Sequence, residues 1–303
     1  MRLSQIRDFI AVVECGGIRA AARRLGVSQP TVTKSVRGLE AELHVQLLER
    51  NARGIVPTAP GRAFFARARA AHSELRKAEE EAAQAGGPGA GTVAFGVGNV
   101  GAALVVPEAV ARFRTQFPRV RLRIVEGLAY RLLPSVRDGT LDFVIGLRSA
   151  MPLDASLRFR PLYRSDLAVA ARKGHPLRHA RTLAELAGAE WLSTSTLGLP
   201  RGPLEQLFAA AGLQPPEPAI HCESHNTLVA LLARTDALGL MQRRTLAAPP
   251  VRELLQEIPL AQASLPSMTA GIFVRSDTPL TRAAAAMAKA ASAVARGLAV
   301  KAG

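Results

Sequence analysis

The sequence predicts an all-α unit at the N-terminus joined to a larger α/β unit, and three observations divide it so. Residues 15–43 carry apolar positions at helical spacing around a central glycine. AGGPGAG, at 85–91, puts four glycines and a proline into seven positions. Beyond it, short apolar strands alternate with amphipathic helices. At 303 residues the chain is long enough for two or three compact units, each with its own core.

The first expected element is a helix over 3–14, whose Leu3, Ile6, Phe9, Ile10 and Val13 pack beneath a helix pair. In that pair, CGGIRAAARRLGVSQPTVTKSVRGLEAEL, two apolar faces are formed by Ala20, Ala21, Ala22, Leu25, Val27, Val32, Val36 and Leu39. Gly26 supplies the turn between them, because glycine tolerates positive φ. Ser28 is placed to cap the second helix and Pro30 suits its first turn. The outward face then presents Gln29, Thr31, Thr33, Lys34 and Arg37, which mix hydrogen bonders suited to base edges with cations suited to phosphates. An apolar back with such a front is what a reading helix needs in the major groove. An ordinary helical hairpin with a solvated polar face satisfies the same pattern.

In LLERNARGIVPTAPG, residues 47–61, Arg50, Asn51 and Arg53 flank a glycine turn, as a wing that reaches phosphates or a minor groove requires. With this segment the chain resembles the LysR-type transcriptional regulator family. The matching pieces are SQIRDFIAVVECGGIRAAARRLGVSQPTVTKSVRGLEAEL, LLER and TAPGRAF, which together cover the first 65 residues. The resemblance implies a winged helix-turn-helix domain over 1–57 that binds double-stranded promoter DNA. Its implied contact residues are Ser28, Gln29, Pro30, Thr31, Thr33, Lys34, Arg37, Arg50, Asn51 and Arg53.

From Thr58 to about Gln84 the pattern becomes one long helix with a narrow seam of Phe64, Phe65, Ala68, Ala71, Leu75, Ala78 and Ala82. Such a seam outside a globular core needs cover, and a second copy is the simplest cover; the chain's own second unit is the alternative. The resemblance implies that this linker, 58–85, pairs with its twin to make a homodimer, and that dimers assemble further into homotetramers.

Residues 86–91 form a flexible hinge, and 92–303 are expected to form an effector-binding domain. TVAFGVG (92–98), VRLRIVEG (120–127) and LDFVIG (141–146) read as strands separated by helices over 100–118 and in YRLLPSVRDG, which predicts a parallel sheet covered on both faces. A second unit starts near Arg160, with strands in PLYRSDLAVAARKGHPL, WLSTS, AIHCES and LGLM and helices in LAELAGAE, PRGPLEQLFAAAGL and HNTLVALLARTDA. TAGIFVRS rejoins the first unit before a terminal helix from Pro279 to about Leu298. Two α/β lobes with crossing strands describe a periplasmic-binding-protein-like clamshell, lobe I being about 92–160 and 268–303 and lobe II about 161–267. The resemblance implies the same fold, and RDGTLDFVIG matches the family's effector domain.

Loops that open helices offer free backbone N–H groups and a positive dipole end, which suits an anionic ligand beyond the ends of the strands. The candidate effector contacts are Gly98, Asn99, Val100, Gly101, Ala129, Tyr130, Ser193, Thr194, Ser195, Thr196, Arg201, Ser224 and Asn226. A carboxylate or sulfonate fits that set, although serine and threonine in loops also serve as caps. The PRGP loop of the second lobe resembles the branch of the family that includes a toluenesulfonate-responsive regulator, which implies an aromatic anion.

The formal charge of +15 favours a polyanionic partner. Residues 1–90 hold 14 Lys and Arg against 9 Asp and Glu, and the remainder 25 against 15, so the excess is not confined to the DNA-reading end. Two cysteines, Cys15 and Cys222, fit a reducing compartment. With neither a signal-like apolar region nor a run of about 18 apolar residues, the expected location is the cytoplasm, away from membranes. The pairs His175/His179 and His221/His225 have metal-compatible spacing but fall where strand or loop is expected, so no metal is assigned. Neither GxSxG nor a P-loop occurs, and GVGNVG departs from the dinucleotide fingerprint. Catalytic residues and cofactors are therefore not expected. The rival reading is a small-molecule binding protein or enzyme whose N-terminal helices serve assembly.

Overall fold

The computed structural model describes residues 1–51, 54–84, 91–148, 152–194, 202–261, 265 and 267–300. They form two compact units, Met1–Thr92 with Pro134–Leu141, and Val93–Leu133 with Asp142–Gly303.

The first unit runs α1 (Leu3–Cys15), α2 (Ile18–Leu25), α3 (Gln29–Leu43), β1 (Leu48–Asn51), β2 (Gly54–Pro57) and α4 (Ala59–Gln84). Gly26 ends α2 at φ 67°, its N–H turned back to the carbonyls of Ala22 and Arg23, so the helix pair bends where the sequence placed the turn. Phe9 is fully buried, edge-on to Phe64 and Phe65 of α4 at centroid distances of 5.5 and 6.4 Å. Around it close Ile6, Ala21, Ala22, Val32, Val36 and Leu39. Leu3 does not join them and is 56% exposed. Helical side chains lean toward the N-terminus, so the first residue of α1 reaches past the core rather than into it.

Helix α4 divides its apolar residues between two fates. Phe64, Phe65 and Ala68 belong to the core just described, whereas Ala71, Leu75, Ala78 and Ala82 are exposed. A different face of α4 holds residues 134–141: Ser73 donates to the Gly139 carbonyl at 2.6 Å and Arg69 pairs with Asp138.

The second unit contains β3 (Gly91–Val97), α5 (Asn99–Leu104), α6 (Val106–Gln116), β4 (Val120–Glu126), the start of α7 (Ala129–Arg137, the first unit from Pro134 on), β5 (Phe143–Leu147), β6 (Leu157–Arg172) and β7 (Trp191–Ser193). It continues through α8 (Pro203–Ala210), β8 (Ile220–His221), α9 (His225–Leu232), β9 (Leu238–Gln242), α10 (Arg243–Leu246), α11 (Val251–Leu254), β10 (Leu255–Ile258), β11 (Ser267–Arg275) and α12 (Arg282–Val300). Neighbouring strands follow the order β4-β3-β5-β11-β6-β9-β7-β8, with β10 also paired to β6.

Several expectations change here. The parallel pairing expected of the first strands holds for β3 and β5, but the sheet as a whole is mixed: β7 is parallel to β8 and β9, whereas β11 lies antiparallel between β5 and β6, and β6 lies antiparallel to β9. The boundary at Arg160 falls inside β6, a single 16-residue strand that pairs with β11 in its first half and with β9 and β10 in its second. The helix expected over 100–118 is two helices, since Pro107 has no N–H to continue the first and starts the second. The helix expected in LAELAGAE is a 3-10 turn at Ala184–Leu186, and the strand in AIHCES shrinks to Ile220–His221.

The second half of β6 is buried on both sides, and successive side chains turn to opposite cores. Ala168 and Ala170 face a core with Leu228, Leu232 and Met241, while Val169 and Ala171 face another with Trp191 and Phe208.

Candidate nucleic-acid interface and ligand cleft

The start of α3 is fixed by its own sequence. Ser28 has an extended backbone, and its hydroxyl accepts from the Thr31 N–H at 3.3 Å, with Pro30 in the first turn. The Thr31 and Ser28 hydroxyls lie 2.7 Å apart, and the Thr33 hydroxyl donates to the Gln29 carbonyl at 2.9 Å. Two of the expected base-facing hydroxyls are thus engaged within the helix. Gln29, Lys34 and Arg37 keep their polar ends without a protein partner among the described residues, and with Pro30, Thr33 and Gly38 they line one concave surface. Lys34 and Arg37 lie three residues apart on this face, a spacing that sets two cations beside each other.

The wing is a two-stranded hairpin with Arg50 opposite Ile55 and Asn51 opposite Gly54. Arg50 is exposed; Arg53 lies outside the described residues. Two residues that sequence reasoning missed hold the wing to the reading helix. The Glu40 carboxylate accepts from the N–H groups of Leu47 and Leu48 at 2.8 and 3.0 Å, tying α3 to the first strand. Thr58 donates its hydroxyl to the Gln46 carbonyl at 2.7 Å and its N–H to that of Leu47 at 2.9 Å, while its Oγ1 caps Gly61 at 3.1 Å. The T-x-x-G spacing before a helix was a visible signal for Thr58; nothing local announced Glu40, whose partners are seven and eight residues away.

In the second unit the expected ligand loops come together in pairs. Gly98 N–H donates to the Ile145 carbonyl at 2.8 Å and Gly127 N–H to that of Val97 at 3.1 Å, which sets the loop before α5 beside the one before α7. Gly101 is buried, and a β-carbon there would stand 2.8 Å from the Val97 side chain. Ala129 packs on Gly146, and Asn99 and Tyr130 are half-buried. In the other lobe Cys222 N–H donates to the Ser193 carbonyl at 2.8 Å, placing Ser193 and Thr194 next to the loop before α9. The Ser224 hydroxyl caps that helix by accepting from Thr227 N–H at 3.3 Å, and Asn226 is exposed. The side chain of Val100 and the residues Ser195, Thr196 and Arg201 lie outside what is described.

A cation not foreseen joins the two loop pairs. Arg131, in the first turn of α7, bonds Glu223 at 2.6 Å and donates from Nε to the Tyr130 hydroxyl at 3.2 Å. At the start of α9, burial pulls His225 below its ordinary pKa, against the opposing pull of the Glu126 charge. These loops bring the Arg131 guanidinium, held by Glu223, and the N–H groups that open α7 and α9 into one unit, where an anion could be received by exchange for the Glu223 carboxylate.

Among the other histidines singled out by spacing, His175 has a structural task. His175 is buried, its Nε2 2.9 Å from the Asp236 carbonyl and its Nδ1 accepting from Leu177 N–H at 3.0 Å. Among the described residues no three His, Cys, Asp or Glu gather as a metal site, and no helix is long and apolar enough to cross a membrane.

A family model described as bacterial regulatory helix-turn-helix protein, lysR family, matches residues 3–62, and one described as LysR substrate binding domain matches 86–296. The HTH-type transcriptional regulator GalR of Pseudomonas putida is 31% identical over 85% of this chain, which spans 65% of that relative. The SDS degradation transcriptional activation protein of a Pseudomonas species is 31% identical over 94% of both chains. Among solved structures, CbnR, a LysR family transcriptional regulator, superposes with a TM-score of 0.71 at 22% identity, covering 97% of this chain and 99% of that one. Full-length CbnR complexed with its target DNA gives 0.70 at 23%, covering 97% and 100%.

Proposed function

The chain belongs to the LysR family of bacterial helix-turn-helix regulators, and on that premise we propose that it binds promoter DNA through α3 and its wing and alters that binding when a small anion enters the cleft of the second unit. The observation that carries the DNA half is the single exposed face of Gln29, Lys34 and Arg37 on a helix whose start and back are fixed. Gel shift with DNA from upstream of the chain's own reading frame tests it. Gln29→Ala is expected to change which sequence is preferred, by about 1–3 kcal/mol at the base pair it reads. Lys34→Gln is expected to weaken binding on every sequence and to reduce the slope of log K against log salt by about 0.9. Parent-like behaviour of both variants on operator and random DNA would remove α3 from the interface.

The exposed Ala71, Leu75, Ala78 and Ala82 of α4 support a homodimer formed through this helix, with two reading heads on one site and further assembly to a tetramer. Leu75→Asp is expected to shift the sedimentation of the full chain toward the monomer; an unchanged oligomer would place the contact elsewhere. DNA binding of this kind belongs in the cytoplasm.

For the ligand, the Arg131 guanidinium favours an anion, and a relative named for degradation of SDS, an alkyl sulfate, accords with that charge. Carboxylates and sulfonates, aromatic ones among them, are the class to screen. A binder is expected to raise the melting temperature with concentration, by the equivalent of about 2.7 kcal/mol at a hundred times its Kd, and Arg131→Gln to suppress the rise. Stabilisation by neutral sugars or amino acids alone would overturn the anion assignment.

A further inference from the structure

Helix α12 carries three cations in strict sevens, Arg282, Lys289 and Arg296, all exposed and all on the face opposite Ala284, Met287, Ala288, Ala291 and Ala295 of the core. No acidic residue occurs anywhere in the helix. Some exposed arginines elsewhere are matched, as in Arg24–Glu14, Arg112–Glu108 and Arg243–Glu257, whereas among the described residues these three have no ion pair. Nor does helix stability call for them. Arg282 is the first residue of α12, where a positive charge opposes the helix dipole. On the neighbouring strand β6, Arg158 and Arg160 stand opposite Val274 and Ile272 of β11, and both are exposed and without an ion pair among the described residues.

We propose that this stripe is a second DNA-binding surface, which holds the phosphate backbone of duplex flanking the operator. From Arg282 to Arg296 it spans about 21 Å at 1.5 Å per residue, the axial length of about six base pairs. A protein partner would need a buried aromatic or aliphatic anchor, and between the cations this face offers only Ala285, Ser292, Ala293 and Gly297. Small residues let a smooth, highly charged surface come close without supplying such an anchor. A duplex held by the N-terminal unit of the same chain is present at high effective concentration, so modest cations suffice. The contact is to phosphates and so reads no sequence. The proposal rests on DNA binding by the first unit and extends it to the second.

The test compares the full chain with R282Q/K289Q/R296Q on two duplexes from its own upstream region, the footprinted core site alone and the same site with about 40 base pairs on each side, over a series of salt concentrations. The parent is expected to show the steeper salt dependence on the long duplex. The triple variant is expected to lose up to about 2.7 of that slope there and to match the parent on the short one. Equal slopes for parent and variant on the long duplex would overturn the proposal, including in the case where the variant has lost an acidic protein partner instead. Failure of the parent to bind the short duplex would instead strike the DNA-binding reading of α3.

Discussion

Gly61→Ala is expected to abolish specific DNA binding although it touches no residue of the DNA-facing surface. A β-carbon at Gly61 would lie 1.9 Å from the Leu47 carbonyl oxygen and 2.8 Å from its carbon, so backbone and not a flexible side chain would have to move. That carbonyl accepts the Thr58 N–H, and the Leu47 N–H is held by Glu40, so the displaced segment is the one that ties α3 and the wing to α4. Overpacking of this kind costs about 3 kcal/mol. Urea unfolding of the full chain by circular dichroism should show an earlier transition, and gel shift should show loss of the specific complex. Thr58→Ala, which removes a cap without a clash, is expected to cost only about 1 kcal/mol. A Gly61→Ala protein that binds operator like the parent would mean that wing and linker are not rigidly coupled.

Phe9→Ala is expected to be as damaging from the opposite direction, by leaving a hole. Phe9 is fully buried and makes edge contacts with two rings of α4, so its loss removes the joint between α1 and the linker helix. Truncations of this type cost about 3–5 kcal/mol. Because its contacts lie in the first unit, anion-dependent thermal stabilisation of the second unit should persist while DNA binding fails. Retention of DNA binding would show that the reading helices fold without the α1–α4 contact.

The first unit was legible because its determinants are local. The turn at Gly26, the cap at Ser28, Pro30 in the first turn and the wing hairpin each depend on residues a few positions apart, and each formed where the residues placed it. Leu3 failed because periodicity knows the face of a helix but not where the core beneath it ends. In the second unit most strands were recognisable as strands, but not their partners. β11 sits between β5 and β6 in antiparallel register, a pairing across more than a hundred residues that no local pattern encodes. Arg131 was missed for the same reason. Its meaning comes from Glu223, 92 positions away in the other lobe.

Local residue patterns were enough to require a capped, cation-faced helix after a glycine turn, a long helix leading to a break, and α/β units beyond it, since hydrogen bonds of helices and turns close within about five residues. Tertiary structure alone decided which hydroxyls are spent on caps, which carboxylate holds the wing, and that β6 runs unbroken through both halves of the second unit. It also left the cations of α12 unpaired, because the acids that would neutralise them are brought near or kept away only by the packing of distant segments.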